Sequence, residues 1–469
     1  MAKKVYIQPG VWIVLIVLGI VGAFFGIKAL QKSGKWGKMT EAVAPSGSSK
    51  VKKVGGKTPI IVALNTWVGF APGVYYNEGL LPTEKSRFEY PVQFIIMDNF
   101  DDSRTAWKDN RVNVICNTAD VLPTEIPSMM DFEPKVFMQI DWSRGGDKII
   151  VRPGINSISD LRGKTVAVAL NSPSQTLIIR ALESGGILYD DLKIKSMATA
   201  LDAAAAFKSG QVDVAIVWSP DDEDCLASVP NSKVLISTKE AAYCIADIFY
   251  AKAEFIRTHQ NELNRFVAGW LEAASELNTD VSARTKAQKL MATYFNVPEA
   301  VMNLDNARFC TYGDNENFFN LLPTQCDCVK GEDLYTKMAQ AFNRIGLAPD
   351  NVPSWRSITD ISILTSLKSN FSGAMHESEQ GIKFSAPVDK MKTVPAIATK
   401  RITINFATGL YVLTDEAKYI IDKEFGPIAR SFAGYRVRIE GNTDNVGSIS
   451  SNKTLSLTKL PRPCGFKVS

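Results

Sequence analysis

Thr165-Val166-Ala167-Val168-Ala169-Leu170, then Asn171, then Ser172-Pro173-Ser174-Gln175, then Thr176-Leu177-Ile178-Ile179-Arg180-Ala181-Leu182: this stretch decides how the chain is read. The first run is apolar and rich in β-branched residues, which suits a strand buried on both faces of a parallel sheet. The last run has apolar residues at helical spacing, with Gly185 as a stop signal. The four residues between predict a helix start, with Ser172 at the N-cap, Pro173 at N1 and Gln175 at N3 completing a capping box. A helix that begins directly after a buried parallel strand turns its free N–H groups into the crevice at the sheet's C-terminal edge. Open α/β folds bind ligands in that crevice, and the helix end favours anionic groups.

The same grammar repeats outward. Apolar runs at 59–64, 92–97, 112–116 and 148–151 read as strands, and 212–218 closes the series at Trp218. They end in short polar segments: Asn65-Thr66-Trp67, Asp98-Asn99, Asn117-Thr118-Ala119-Asp120 and Ser219-Pro220. A helix is expected around 200–209. Alternating strand, turn and helix predict an α/β class with mostly parallel sheets.

With 469 residues the chain is too long for one ordinary core, so two or three domains are expected. Its 45% hydrophobic and 22% charged residues are those of a globular protein, and a net charge of +4 gives no reason to expect nucleic acid. Two histidines, His259 and His376, exclude a His-based metal site or triad, and no cofactor or metal is expected. Seven cysteines include no C-x-x-C pair. An oxidising compartment allows Cys225–Cys244, and Cys310 with Cys326 or Cys328, to pair.

Residues 5–27 carry no charge and are long enough to span a bilayer. No small-residue cleavage pair follows, so an uncleaved inner-membrane anchor is expected over residues 1–30, with the N-terminus cytoplasmic and the rest periplasmic. The positive-inside rule favours the opposite orientation, since Lys28, Lys32, Lys35 and Lys38 outnumber Lys3 and Lys4; large domains translocate despite such charge. Residues 28–57, with eight Lys against one Glu, read as a flexible basic tether, the linker proper being 31–57.

Thr66-Trp67-Val68-Gly69 followed by Pro72, the block from Asp160 to Gln175, and the block from Gly210 to Pro220 together resemble the nitrate, sulfonate and taurine branch of periplasmic solute-binding proteins. The helix from Glu254 to Ala273 resembles that family's helix after its crossover. The resemblance covers residues 58–368. It implies a two-lobed type II periplasmic-binding-protein fold with ligand clasped between the lobes, lobe one being 58–147 plus 245–367 and lobe two 148–244. Expected ligand contacts lie at strand ends facing the cleft: Thr66, Trp67, Asn99, Thr118 and Ala119 from lobe one, and Ser172, Ser174, Gln175, Trp218 and Ser219 from lobe two. Trp67 and Trp218 are equally readable as core, whereas Trp270 reads as core. The implied ligand is an oxyanion, a sulfonate or an amino-acid-like solute. The acidic run Asp221-Asp222-Glu223-Asp224 speaks for a cationic or zwitterionic one if it lines the cleft.

Residues 369–400 read as a second linker, interrupted by Pro387 and Pro395. Beyond it, alternating strands are expected at 400–406 and 435–440, around a helix capped by Thr414. Gly441-Asn442-Thr443-Asp444-Asn445-Val446-Gly447 and then Asn452-x-x-Leu455-Ser456 resemble the OmpA-like peptidoglycan-binding domain, an α+β unit that is partial here (401–469). The resemblance makes Asp444, Asn452 and Lys459 the wall-binding residues. Pro461 and Pro463 break the helix the family needs, so wall binding is expected to be impaired.

The expected function is a membrane-anchored solute receptor for an ABC importer or sensor, and not an enzyme. The alternative is a structural or stator-like envelope protein whose middle domain binds no metabolite. A stator carries an ionisable residue in its span, and residues 5–27 have none. An enzyme related to pyrimidine-precursor synthases needs a histidine at a strand end, which neither His259 nor His376 supplies.

Overall fold

The computed structural model describes residues 53–322, 328–373, 376, 378–379, 394–404 and 412–438. Its strands are β1 (Ile60–Leu64), β2 (Val92–Ile96), β3 (Val114–Thr118), β4 (Pro134–Ser143), β5 (Asp147–Val151), β6 (Thr165–Ala169), β7 (Lys193–Met197), β8 (Val214–Trp218), β9 (Lys233–Ser237), β10 (Ala246–Lys252) and β11 (Ala307–Phe309). They form a six-stranded sheet, β11-β4-β10-β3-β1-β2, and a five-stranded sheet, β7-β6-β8-β5-β9. Each sheet is covered by helices, giving two α/β lobes.

The sheets are mixed, not mostly parallel. β1 pairs in parallel with β2 and β3, and β6 with β7 and β8. β10 runs antiparallel to β3 and β4, β4 to β11, and β5 to β8 and β9. The cause is the path of the chain. It leaves the first sheet through β4 into β5 and returns through β9 into β10, so each crossing strand enters its sheet against the direction of its neighbours.

The second lobe shows why its strands read as apolar throughout. Ile149, Val166, Val168, Val214 and Ile216 pack on one face against Leu177, Ile178, Ala181 and Leu182 of the helix Pro173–Gly185. Ile150, Ala167, Ala215 and Val217 pack on the other against Ala203, Ala204 and Phe207 of the helix Ala200–Lys208. Cys244 lies in the first of these cores and Cys225 in the second, on opposite sides of the sheet. The expected Cys225–Cys244 bond is therefore not formed. Cys310 is also free and buried, so it does not pair with Cys328.

In the first lobe the stretch expected as one helix from Glu254 breaks at His259, giving Ala253–Thr258 and Gln260–Thr279. Trp270 is wholly buried and meets Phe249 edge-on at 4.8 Å, as a core residue.

Near the C-terminus, Thr414 caps the helix Asp415–Glu424, its hydroxyl accepting from the Ala417 N–H at 3.1 Å. Residues 400–404 and 435–438, the described parts of the two expected strands, form none. The apolar residues in and beside this segment meet the second lobe instead. Ile397, Ala398, Ile428 and Tyr435 pack with buried Phe432 against its core, and the Ile158 N–H donates to the Ile397 carbonyl at 2.8 Å. Residues 5–27, Asp444, Asn452 and Lys459 lie outside the described residues. Among the described residues no helix is long and apolar enough to cross a membrane.

The two crossings meet in one hydrogen-bonded knot. The Thr238 hydroxyl accepts from the N–H groups of Gly145 (2.8 Å) and Asp147 (3.2 Å) and shares a 2.7 Å hydrogen bond with the Ser143 hydroxyl. The Thr238 N–H donates to the Asp147 carbonyl at 3.0 Å, and Ser143 Oγ donates to Asp147 Oδ2 at 2.6 Å. Thr238→Val keeps the volume and leaves these buried partners unmet, which should cost about 1–3 kcal/mol. A lower denaturant midpoint with an unchanged slope is expected; a variant as stable as the parent would show that this hydroxyl does not hold the crossing.

Candidate functional site

The C-terminal edges of the two sheets face each other across the knot. On the first sheet, Thr118 of β3, Asp247 of β10 and Asp141 of β4 stand side by side by register. On the second, Asp147 of β5 pairs with Trp218 of β8. Asn65, Trp67, Asp147, Pro173, Trp218, Ile245 and Asp247 enclose a cavity of about 20 Å³, room for about one water. The lobes touch around it. Trp218 Nε1 donates to the Thr66 carbonyl at 3.2 Å, and Asn306 Nδ2 donates to Ser219 Oγ at 2.6 Å. A larger molecule enters only when these contacts part.

Several expected contact residues gather here, and most have other duties. Thr66 is bound to Asp98 through its N–H (2.6 Å) and hydroxyl (3.2 Å). The Trp67 indole N–H is committed to Asp141, at 3.2 Å from Oδ2. Asn99 caps the helix Phe100–Lys108, accepting from Asp101 and Asp102 N–H, which explains an asparagine at that strand end without a ligand. The Ala119 N–H donates to the Ala246 carbonyl at 2.9 Å. Ser219 holds Asn306 with its hydroxyl and Gly146 with its N–H.

The capping box expected at Ser172–Gln175 is not formed. Ser172 sits at the N-cap, yet its hydroxyl points back and donates to the Ala169 carbonyl at 2.8 Å. Gln175 reaches one residue further, accepting from the Asn171 N–H at 2.8 Å, and its amide donates to the Tyr189 hydroxyl at 3.0 Å. Ser174 is different. Its hydroxyl is wholly buried with no hydrogen-bond partner among the described residues. Of the acidic run, Asp222 is buried and paired with Lys148, and Asp224 is on the surface with Lys208.

Four residues that the sequence reading passed over, Asp120, Asp141, Asp147 and Asp247, are all buried at this junction. Burial raises Asp120 and Asp147 to about 7; the nearby hydroxyls of Thr176 and Thr118 temper the first, and the Ser143 hydroxyl tempers the second. Asp141 and Asp247, opposite one another on β4 and β10, are both raised by burial. The charges of Asp141, Asp147 and Asp120 push Asp247 further, and the Trp67 N–H moderates Asp141. Directly opposed like charges weaken a sheet, so these two carboxyls hold a proton in the neutral range. The available signal was a lone Asp inside or beside an apolar run, a placement that is costly unless the group is paired or used.

Two glycines make the room. A Cβ on Gly69 would fall 1.8 Å from Asp141 Oδ2, and one on Gly146 would fall 2.1 Å from the Trp67 ring. Gly69, quoted above as part of the Thr66–Pro72 motif, is thus the space in which the Asp141 carboxyl sits.

Residues 148–280 match the family model described as NMT1/THI5 like. A protein of Escherichia coli provisionally named as an aliphatic sulfonates-binding protein is 38% identical over 66 residues, 14% of this chain and 20% of that one. A provisionally named binding protein of Brucella abortus is 26% identical over 135 residues, 28% of this chain and 42% of that one. The chain thus spans about a fifth to two-fifths of the length of these curated relatives. The fold is that of the periplasmic aliphatic sulphonate binding protein SsuA of Escherichia coli, with TM-score 0.51 and 20% identity over 64% of this chain and 97% of that one. The ligand-binding component of an ABC-type import system from Staphylococcus aureus, solved with zinc bound, gives TM-score 0.51 at 13% identity over 66% of this chain and 98% of the other.

The carboxyls make stability depend on pH. Asp120 and Asp147 have folded pKa values of about 7, above their ordinary value, so the folded state holds more protons than the unfolded one between about pH 4 and 7. Their contribution is full below pH 4 and is lost as pH rises through 7. The melting temperature should therefore fall from pH 5 to 7.5, and less steeply in Asp147→Asn. An identical slope in the variant would mean that Asp147 is ionised at ordinary acidity in the fold.

Proposed function

We propose that the chain is a solute-binding protein whose lobes part and close on a small molecule at this cavity, presenting it to an ABC-type permease. The observation that carries the reading is a cavity between the lobes, bordered by contacts from both and by Asn65, Asp147 and Asp247, beside a two-strand crossing. That is the arrangement in which a hinge motion changes access to a site. The likeness to proteins named for sulfonate binding and for ABC-type import supports the same reading, and the chemistry asked of the site is recognition, not catalysis.

The finer parts of the reading rest on sequence. The uncharged run 5–27 supports a single-pass tether in the inner membrane, with the lobes in the periplasm. The Asn442–Asn445 turn and Asp444 support descent from a peptidoglycan-binding module, with Pro461 and Pro463 weakening it. Of the expected contacts, Trp67 and Trp218 line the cavity, and Ser174, next to the lining residue Pro173, has a buried hydroxyl without a partner among the described residues.

A ligand that binds the closed form raises the melting temperature of the full-length chain. In a screen of oxyanions, sulfonates, amino acids and amines, at least one solute should do so. Ser174→Ala should then weaken that solute by roughly twofold to tenfold, the worth of one neutral hydrogen bond. Ser172→Ala is the poorer test, because that hydroxyl closes the turn on Ala169. No shift across the screen favours a structural protein; a full shift retained in Ser174→Ala removes that residue from the site.

A further inference from the structure

We propose that the group this site takes is a cationic nitrogen, an alkylammonium or amidinium head, held by the carboxylates of Asp147 and Asp247 and the amide oxygen of Asn65 between Trp67 and Trp218. This rests on the receptor reading above and specifies its ligand class.

The lining is the first argument. Asp147 Oδ1 and Asn65 Oδ1 belong to residues more than nine-tenths buried, which line the cavity, and neither atom has a hydrogen-bond partner among the described residues. Both are acceptors. Among the lining residues the two indole donors are spent, and the unpartnered Ser174 hydroxyl only follows Pro173 in the chain. The Trp67 N–H is held by Asp141, the Trp218 N–H by the Thr66 carbonyl, and Pro173, at the start of the lobe-two helix, has no N–H. An ammonium or amidinium offers donors only, which is the complement of unpaired acceptors.

The second argument is charge. Asp120, at the end of β3, Asp141 of β4, Asp147 of β5 and Asp247 of β10 converge from four segments. Of the nearby cations, Lys148 pairs with Asp222, and Arg144 in the crossing pairs with Glu379 through Nη2 while its buried Nη1 has no hydrogen-bond partner among the described residues. Asp98 and Asp221, which act on one another electrostatically, add charge of the same sign next to Thr66 and Pro220. The two indoles supply faces suited to a cation once the lobes part and the Trp218–Thr66 contact breaks.

The carboxyls carry protons in the neutral range, so loading a cation displaces them. Its affinity rises with pH, whereas an anion held by the protonated carboxyls would bind more weakly as pH rises. The test is calorimetry and thermal shift on the full-length chain at pH 5.5 and pH 8. One arm uses methylammonium, benzamidine and arginine; the other uses methanesulfonate, nitrate and sulfate. The expected result is stabilisation by a member of the first set, at least about tenfold tighter at pH 8, with Asp147→Asn and Asp247→Asn each losing about tenfold to a hundredfold, as for a hydrogen bond to a charged group. The pH comparison on the parent chain stands even if a variant fails to fold. Stabilisation by the anions alone, tighter at pH 5.5, overturns the cation assignment and leaves a receptor. No shift in either arm overturns both readings.

Discussion

Everything at the junction hangs on the point where the chain crosses between lobes twice and the crossings are tied through the Thr238 hydroxyl. The chain leaves the first sheet between β4 and β5 and returns between β9 and β10, and a threonine on the returning crossing satisfies N–H groups on the outgoing one. Because backbone polar groups buried there must be met, the residues around the knot are fixed to within a hydrogen bond. Asp147 is one of them. Its carboxyl takes the Ser143 hydroxyl on one oxygen and leaves the other without a partner among the described residues, and the residue lines the cavity, so the knot and the site share a side chain.

That sharing explains an otherwise unfavourable composition. Burying four carboxyls in one place opposes folding unless protons or partners neutralise them. The chain supplies some of both. Trp67 and Ser143 donate to Asp141 and Asp147, and the raised affinity for protons meets the rest. What stays unmet is a set of acceptors pointing into a space closed by Trp67 and Trp218. A site kept under such tension is poised to exchange protons for a ligand with donors, which ties recognition to the same groups that set the stability of the closed lobes.

The β6-to-helix stretch was legible because it is local: one buried strand, one turn, one amphipathic helix, all within contiguous residues. So were the strand ends at Thr66, Thr118 and Trp218, since apolar runs stop there. β4 and β10 were not legible, although they are central to the first sheet, because Asp141 and Asp247 interrupt their apolar patterns and only long-range pairing tolerates them. The acid cluster was hidden for the same reason, being assembled by register from four distant segments. Ser172 is the N-cap the sequence shows, but the capping box is absent because its hydroxyl closes the preceding turn and Gln175 meets the Asn171 N–H instead. The alternation at 400–404 and 435–438 was real, but a strand needs a neighbour to pair with, and of these residues only Tyr435 packs on the second lobe's core.

The claim that the lobes move about the Thr238 crossing to admit a solute is tested most directly by an inter-lobe distance. Spin labels on cysteines introduced at Asp102 and Glu223, exposed on helices of opposite lobes, report it in the full-length chain. The account predicts a broad or two-component distribution without solute that collapses to the shorter distance when a stabilising solute is added. One narrow distance, unchanged by any solute that stabilises the chain, would contradict it.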